Sequence, residues 1–391
     1  MTTMPPIYLD FNATTPIDPL IAAAMRPWLD VEFGNPSSSH TYGQQARAAV
    51  AQARAEVAAL INATASEIVF TGNATEANNL ALLGVAHALP HKRHMIVSAI
   101  EHPAVMQPAL HLRELGWSVD IVPVDVTGRI DPQEVAKRLR PDTALVSIMH
   151  ANNEIGTVEP IAEIAALVRA NGSLMHTDAA QSVGKLGLDV ATLGVNLLTL
   201  AGHKFYAPKG IGALYVRNGT PIKPIMFGAD QEHGLRPGTE NVMHIVGLGA
   251  AARLARERLP EAKGHLTAVR DALHLRLRDA IPGLQLNGHE QHRLPNTLHV
   301  SFPRVSGRDL VARVASVMAA SVGSACHSDH DAVSGVLAAM GFDSQRAKGA
   351  VRLSVGLTTT LEDIETAADA LITHWNRLRQ EATSNSGVTH A

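Results

Sequence analysis

The sequence predicts an α/β fold, a large domain with a mostly parallel sheet between helices plus a smaller α+β domain. Three observations carry this. Short apolar runs alternate with amphipathic stretches from Glu67 to Leu200, the rhythm of strand and crossover helix. Residues capable of chemistry collect just after those runs, where ligands sit in such sheets. Near Ala250 the texture changes to a long charged helix followed by scattered short strands. Residues 15–250 are therefore expected to form the large domain, and 1–14 with 251–391 the small one.

In order, Ile7 to Leu9 reads as a short strand running into the polar turn Asp10–Pro16, and Pro19–Leu29 has helical spacing. Phe33–His40 is a turn-rich loop, and Gln44–Leu60 an amphipathic helix. The strand Glu67–Thr71, the tight turn Gly72–Thr75 and a helix from Glu76 to Leu89 aim backbone N–H groups and a positive helix end at one spot, an anion site. The lysine and hydroxyl residue of a nucleotide-binding P-loop are missing, which favours a phosphate monoester over ATP.

Strands Met95–Ser98, Ser118–Val122 and Thr143–Ile148 alternate with helices Pro103–Leu115, Asp131–Leu139 and Ile161–Ala170. Leu174–Thr177 leads to Asp178, and Val195–Leu200 to Gly202-His203-Lys204, in a turn closed by Pro208, Gly210 and Gly212. Beyond Ala250 come a helix Ala251–Ala280, strands Leu284–Leu286, Asn296–Phe302 and Val351–Val355, and a helix Gly307–Ser316. A last helix opens at Thr359-Leu361-Glu362, a candidate capping box, with Ile364, Ala367, Ala368, Leu371, Ile372, Trp375 and Leu378 on its apolar face.

The 391 residues are 46% hydrophobic, ample for a large core, and a net charge of −3 with mixed signs argues against nucleic acid as a partner. No apolar stretch is long enough to span a bilayer, and no signal peptide is visible, so a cytoplasmic protein with no membrane partner is expected. The single cysteine, Cys326, excludes an intramolecular disulfide framework and fits a reducing compartment.

A lysine at the end of a buried strand either reaches to solvent or sits where its amine can lose its proton. Taken with Asp178, Gln181, His203, His102 and the Gly72–Thr75 turn, Lys204 points to one cofactor. Pyridoxal phosphate needs an amine to condense with its aldehyde, a carboxylate to keep its ring nitrogen protonated and donors for its phosphate. Asp178 and Lys204 suit opposite edges of one ring, and His102 offers a flat face to stack on it.

The chain resembles the cysteine desulfurase and selenocysteine lyase family of pyridoxal phosphate enzymes. The resemblance runs through Asp10-Phe11-Asn12-Ala13-Thr14-Thr15-Pro16, Gly72 to Asn79, Glu101-His102-Pro103, Asn152 to Gly156, His176 to Gln181, Gly202-His203-Lys204 and Arg236 to Asn241, and covers nearly the whole chain. It implies a fold-type I transferase with a seven-stranded sheet, acting as a homodimer with shared active sites on a small amino acid. Position by position, it implies Lys204 as the lysine that carries the cofactor, Asp178 on the ring nitrogen, Gln181 on the ring hydroxyl and His102 stacked on the ring. Ala74, Thr75 and His203 would hold the phosphate, with Thr239 arriving from the other subunit. Asn153 and Arg352 would bind the substrate carboxylate, and Asn12 and Asn35 would line the pocket.

Within the family, Ser321 to His330 is closer to the selenocysteine lyases. Small neighbours and adjacent histidines make an electropositive loop in which Cys326 can ionise, so it is read as acid or nucleophile rather than as packing or as part of a metal cluster. Ala201 stands where many members have serine, which removes one hydroxyl from the phosphate set. The expected reaction releases selenium from selenocysteine to give alanine. A cysteine desulfurase with a persulfide on Cys326, or a lyase for isocysteine, is the alternative, and a separate protein would accept the chalcogen. An aminotransferase on the same fold and a non-catalytic sulfur carrier are the rivals from other classes.

Overall fold

The computed structural model describes residues 5–323 and 334–386. The strands are β1 (Ile7–Tyr8), β2 (Ile68–Thr71), β3 (His94–Ser98), β4 (Ser118–Val122), β5 (Thr143–Ser147), β6 (Leu174–Asp178), β7 (Leu197–Ala201), β8 (Gly212–Val216), β9 (Gln285–Leu286), β10 (Thr297–Ser301), β11 (Met318–Ala319) and β12 (Ala350–Ser354). Seven of them form one sheet in the order β2-β8-β7-β6-β5-β3-β4. From β7 to β4 every pairing is parallel, while β8 runs antiparallel to both β7 and β2.

Parallel strands are covered on both faces, so their residues are apolar on both, and alternate side chains feed separate cores. On β3, Ile96 enters one core while Met95 and Val97 enter the other; on β7, Leu198 and Leu200 oppose Leu197 in the same way. Helices Thr41–Leu60 and Val242–Ala280 cover the first face, and Ala74–Ala88 and Pro103–Glu114 the second. The first pair cross closely because of Gly249, where an added Cβ would lie 2.5 Å from the Cα of Ala53.

A further sheet, β12-β10-β9, carries its own core with Leu9, Leu273, Phe302, Leu353 and Trp375. The helix Val242–Ala280 serves both cores, through Leu248 and Ala252 at one end and Val269 and Leu273 farther along. The expected boundary between residues 250 and 251 thus falls inside one continuous helix.

Several local expectations are corrected. Gly212 does not close a turn but begins β8, a strand whose glycine, alanine and tyrosine gave a weak apolar signal. The helix expected from Glu76 begins at Ala74 with Asn73 as its cap, so Ala74 and Thr75 belong to its first turn. The long helix starts at Val242 rather than Ala251, capped by the Asn241 side chain. The last helix is boxed by Thr360 and Asp363, which exchange side-chain to backbone bonds of 2.8 and 3.1 Å, while the hydroxyl of Thr359 takes the Gly356 N–H instead. Its anticipated apolar face is buried as Ile364, Ala367, Ala368, Leu371 and Trp375, with Ile372 and Leu378 partly so.

Candidate active site

Asp178 ends β6 and Lys204 lies in the turn that follows β7, its parallel neighbour. The Asp178 carboxylate accepts from Asn78 Nδ2 at 2.7 Å and from the Ala180 N–H at 2.9 Å. Asn78 is fully buried, and its Oδ1 has no hydrogen-bond partner among the described residues. The Lys204 amine has no ion pair among the described residues; it donates to the carbonyls of Asn12 at 2.7 Å and Ala13 at 2.8 Å. Burial is the main force on its pKa and Arg352 adds to it, against Asp178 and Asp10, so that the amine is brought down to about 8.

His102 caps the helix Pro103–Glu114, with Nδ1 accepting the Ala104 N–H at 3.1 Å. This leaves Nε2 as the protonated nitrogen of a neutral ring, in keeping with a pKa lowered first by desolvation, opposed by Asp178 and assisted by Lys204. The cap fixes the ring's direction.

Across the sheet edge, Asn73 Oδ1 takes the Glu76 N–H at 2.8 Å, and the Glu76 carboxylate takes the Gly72 N–H, also at 2.8 Å. The first-turn N–H groups of Ala74 and Thr75 therefore point out of the helix with no partner among the described residues. Gly212 lets β8 run directly beneath, since a Cβ there would stand 2.8 Å from the Asn73 carbonyl carbon. His203 is tied to the Thr14 hydroxyl at 3.2 Å; burial and the lysines 204, 209 and 185 bring its pKa to about 4, so it is a neutral hydrogen-bonding group.

Asn12 holds a different place from the one expected. It is 1% exposed, and its side chain turns toward the second sheet, donating to Thr297 Oγ1 and the Asn153 carbonyl and accepting from Asn296. Only its carbonyl meets the site, where Gln181 Nε2 at 3.0 Å joins Lys204. Arg352, on β12, bonds Asp10 at 2.7 Å and the Asn153 carbonyl at 3.1 Å, and its buried Nε has no partner among the described residues. For Asn153 it is thus the backbone carbonyl that is engaged. Asn35 is exposed, its Oδ1 taken by the Ser37 N–H, and is not brought to this cluster. Thr239 is also exposed, in a segment tethered by the Arg236–Glu76 pair at 2.9 Å. Cys326 lies outside the described residues.

Two participants escaped the sequence reading. Asn78 could have been found as an amide on the apolar face of Ala77, Leu80 and Ala81, where a buried polar group demands a partner. Asp10 gave no signal, because its pairing with Arg352 spans nearly the whole chain.

The profile of the aminotransferase class-V family matches residues 7–366. The chain belongs to that family. Curated relatives of this class-V chain include "Cysteine desulfurase IscS" of Dictyoglomus turgidum, 44% identical over 93% of each chain. "Cysteine desulfurase IscS 1" of Archaeoglobus fulgidus is 41% identical over 95% of this chain and 97% of its own. Among solved structures, a "NIFS-LIKE PROTEIN" superposes with a TM-score of 0.90 at 36% identity, over 95% of this chain and all of the other. "SspA in complex with cysteine" matches with a TM-score of 0.80 at 36% identity, over 90% of this chain and 100% of its own. This class-V chain has the fold-type I architecture, and its cofactor is pyridoxal 5'-phosphate.

The residues present fit that cofactor. A buried carboxylate steadied by two N–H donors, an amine free of any carboxylate and two outward first-turn N–H groups match a pyridine nitrogen, an aldehyde and a phosphate. Among the described residues no group of three His, Cys, Asp or Glu side chains could hold a metal ion, and no helix is long and apolar enough to cross a membrane.

Proposed function

We propose that this chain is a cysteine desulfurase, which takes sulfur from L-cysteine, leaves L-alanine and holds the sulfur as a persulfide on Cys326. The observation that carries the reading is the placement of Lys204 and Asp178 at the ends of adjacent parallel strands, with the lysine's pKa brought to about 8 by burial and by Arg352 of the second sheet. The sequence alone placed selenium first. The names of the relatives support sulfur instead.

When bound, pyridoxal phosphate supplies a sink for the electron pair left at the substrate α-carbon. In this proposal Lys204 carries it, Asp178, Gln181, His102 and His203 contact it, and Ala74 and Thr75 offer their N–H groups to its phosphate. Arg352 takes the substrate carboxylate as a bidentate pair, oriented by Asp10 and the Asn153 carbonyl. Lys204, with a pKa brought to about 8, removes the α-proton and returns one, since a base poised near the working pH transfers protons best. The Cys326 thiolate attacks the substrate sulfur. A sulfur–sulfur bond forms as the carbon–sulfur bond breaks, the bonding pair passes to carbon, and that carbon takes a proton and leaves in alanine. Thiol plus cysteine gives persulfide plus alanine, with no outside oxidant or reductant.

The working unit in this proposal is a cytoplasmic homodimer in which exposed Thr239 reaches the other subunit's phosphate site, and an acceptor protein collects the sulfur. Support for a second copy comes from Phe227, 88% exposed in the same segment as Thr239.

The test is alanine formation from L-cysteine by the holoenzyme, with mass spectrometry of the Cys326 peptide. Wild type should show alanine and a 32-dalton adduct, and Cys326→Ala should lose both. Alanine without an adduct, together with release from selenocysteine that survives Cys326→Ala, would favour the selenocysteine lyase instead; the Ser321 to His330 sequence is the observation behind that second reading.

A further inference from the structure

Lys185 is a second buried amine in this region, 5% exposed, and nothing in the proposed mechanism uses it. Among the described residues its Nζ bonds only to Gln181, reaching the backbone carbonyl at 3.0 Å and the side-chain Oε1 at 3.2 Å. The opposite edge of the same amide, Nε2, meets the Asn12 carbonyl that Lys204 also reaches. An amide side chain could be turned either way in this slot, and its direction is decided by its neighbours. An ammonium has donors only and the Asn12 carbonyl can only accept, so the edge facing Lys185 is oxygen and the edge facing Asn12 is N–H.

We infer that Lys185 is a positioning residue, which locks the Gln181 amide with its N–H donors turned toward Lys204 and the cofactor's ring hydroxyl. This deepens the function proposed above and rests on it for the identity of the group that Gln181 meets. Without Lys185 the Asn12 carbonyl alone fixes which way the amide faces, so the amide can tilt in its slot and its donor to the ring is less firmly aimed. Burial, with Lys204 and Arg352 adding to it, brings the Lys185 pKa to about 7, and Lys185 in turn lowers that of His203. The charged groups that bear on it are thus Lys204 and Arg352, and any pH profile has to be read with both in mind.

The experiment compares wild type, Lys185→Met, Gln181→Met and the double variant, each loaded with pyridoxal phosphate. Methionine keeps the length and the apolar stem and removes the donors. The expected result is a shift in the position and pH midpoint of the visible band in Lys185→Met, with cofactor affinity weakened on the order of tenfold. Gln181→Met should reproduce that shift, and the double variant should add nothing to it. Additive shifts, or an unchanged band in a Lys185→Met protein that merely melts earlier, would overturn the inference. If wild type takes up no cofactor, the functional reading fails and this inference is decided on cofactor-free protein. There the loss of thermal stability from Lys185→Met should vanish in the Gln181→Met background, and an undiminished loss would overturn it.

Discussion

The two sides of the cleft are built differently. The side assigned to the cofactor draws on the ends of β6 and β7 and on the first turns of two helices, all within one sheet and its cover. The side assigned to the substrate is assembled from Asp10, Asn12, Asn153 and Arg352, which are far apart in the chain and meet only where β12 and the N-terminal segment come together. The first side is fixed by secondary structure, because a strand end has one place to be. The second is fixed by side-chain hydrogen bonds, each of which is worth little alone and depends on its neighbours. Asn12 joins them, its carbonyl on one side and its amide on the other.

Two perturbations separate the sides. Lys204→Ala removes the only group proposed to move the α-proton and should lower alanine formation from cysteine by about a thousandfold or more, while the cofactor-free protein folds normally because a costly buried amine has gone. Product analysis and a melting curve check both statements. Arg352→Lys should raise KM for cysteine on the order of a hundredfold, since lysine cannot offer the planar fork, and leave the visible band of the bound cofactor where it was. A band that moves with KM would mean that the two sides are not separable in this way.

A third perturbation, at Glu101 next to His102, tests folding rather than either side. Its Oε1 accepts from Ser98 at 2.6 Å and from the Met149 N–H at 2.8 Å, its Oε2 has no partner among the described residues, and burial raises its pKa to about 8. A carboxyl whose folded pKa lies above its unfolded one stabilises the fold at low pH and loses that contribution as pH rises through the window from 4.5 to about 8. Glu101→Gln should therefore gain on wild type across that window, by on the order of 1 kcal/mol per pH unit, in thermal melts of cofactor-free protein. A constant gap between the two curves would show that Glu101 does not titrate with folding.

The contrast between the sides also explains what could be read from the sequence. Asp178, Lys204 and His102 were legible because each follows an apolar run, and run length locates a strand end without knowledge of the rest of the fold. Ala74 and Thr75 were placed in a turn instead of a helix because Asn73 reads equally well as a turn residue and a cap. The side-chain direction of Asn12 was not legible, for it is set by Thr297 and Asn296, distant in sequence and joined to it only by folding. Asp10 and Lys185 were missed for the same reason: a charge in a sequence looks solvated until its burial is seen.

The antiparallel return of β8 has a consequence for how the protein is made. Strand β2, which leads into the phosphate-facing turn, pairs with β8 alone and lies at the sheet's edge. It cannot join the sheet until residues 212–216 have left the ribosome, and by then the lysine turn between β7 and β8 has emerged as well. Pairing of β2 with β8 thus brings the Gly72–Thr75 segment to the lysine turn only after residue 216 of the 391 has emerged.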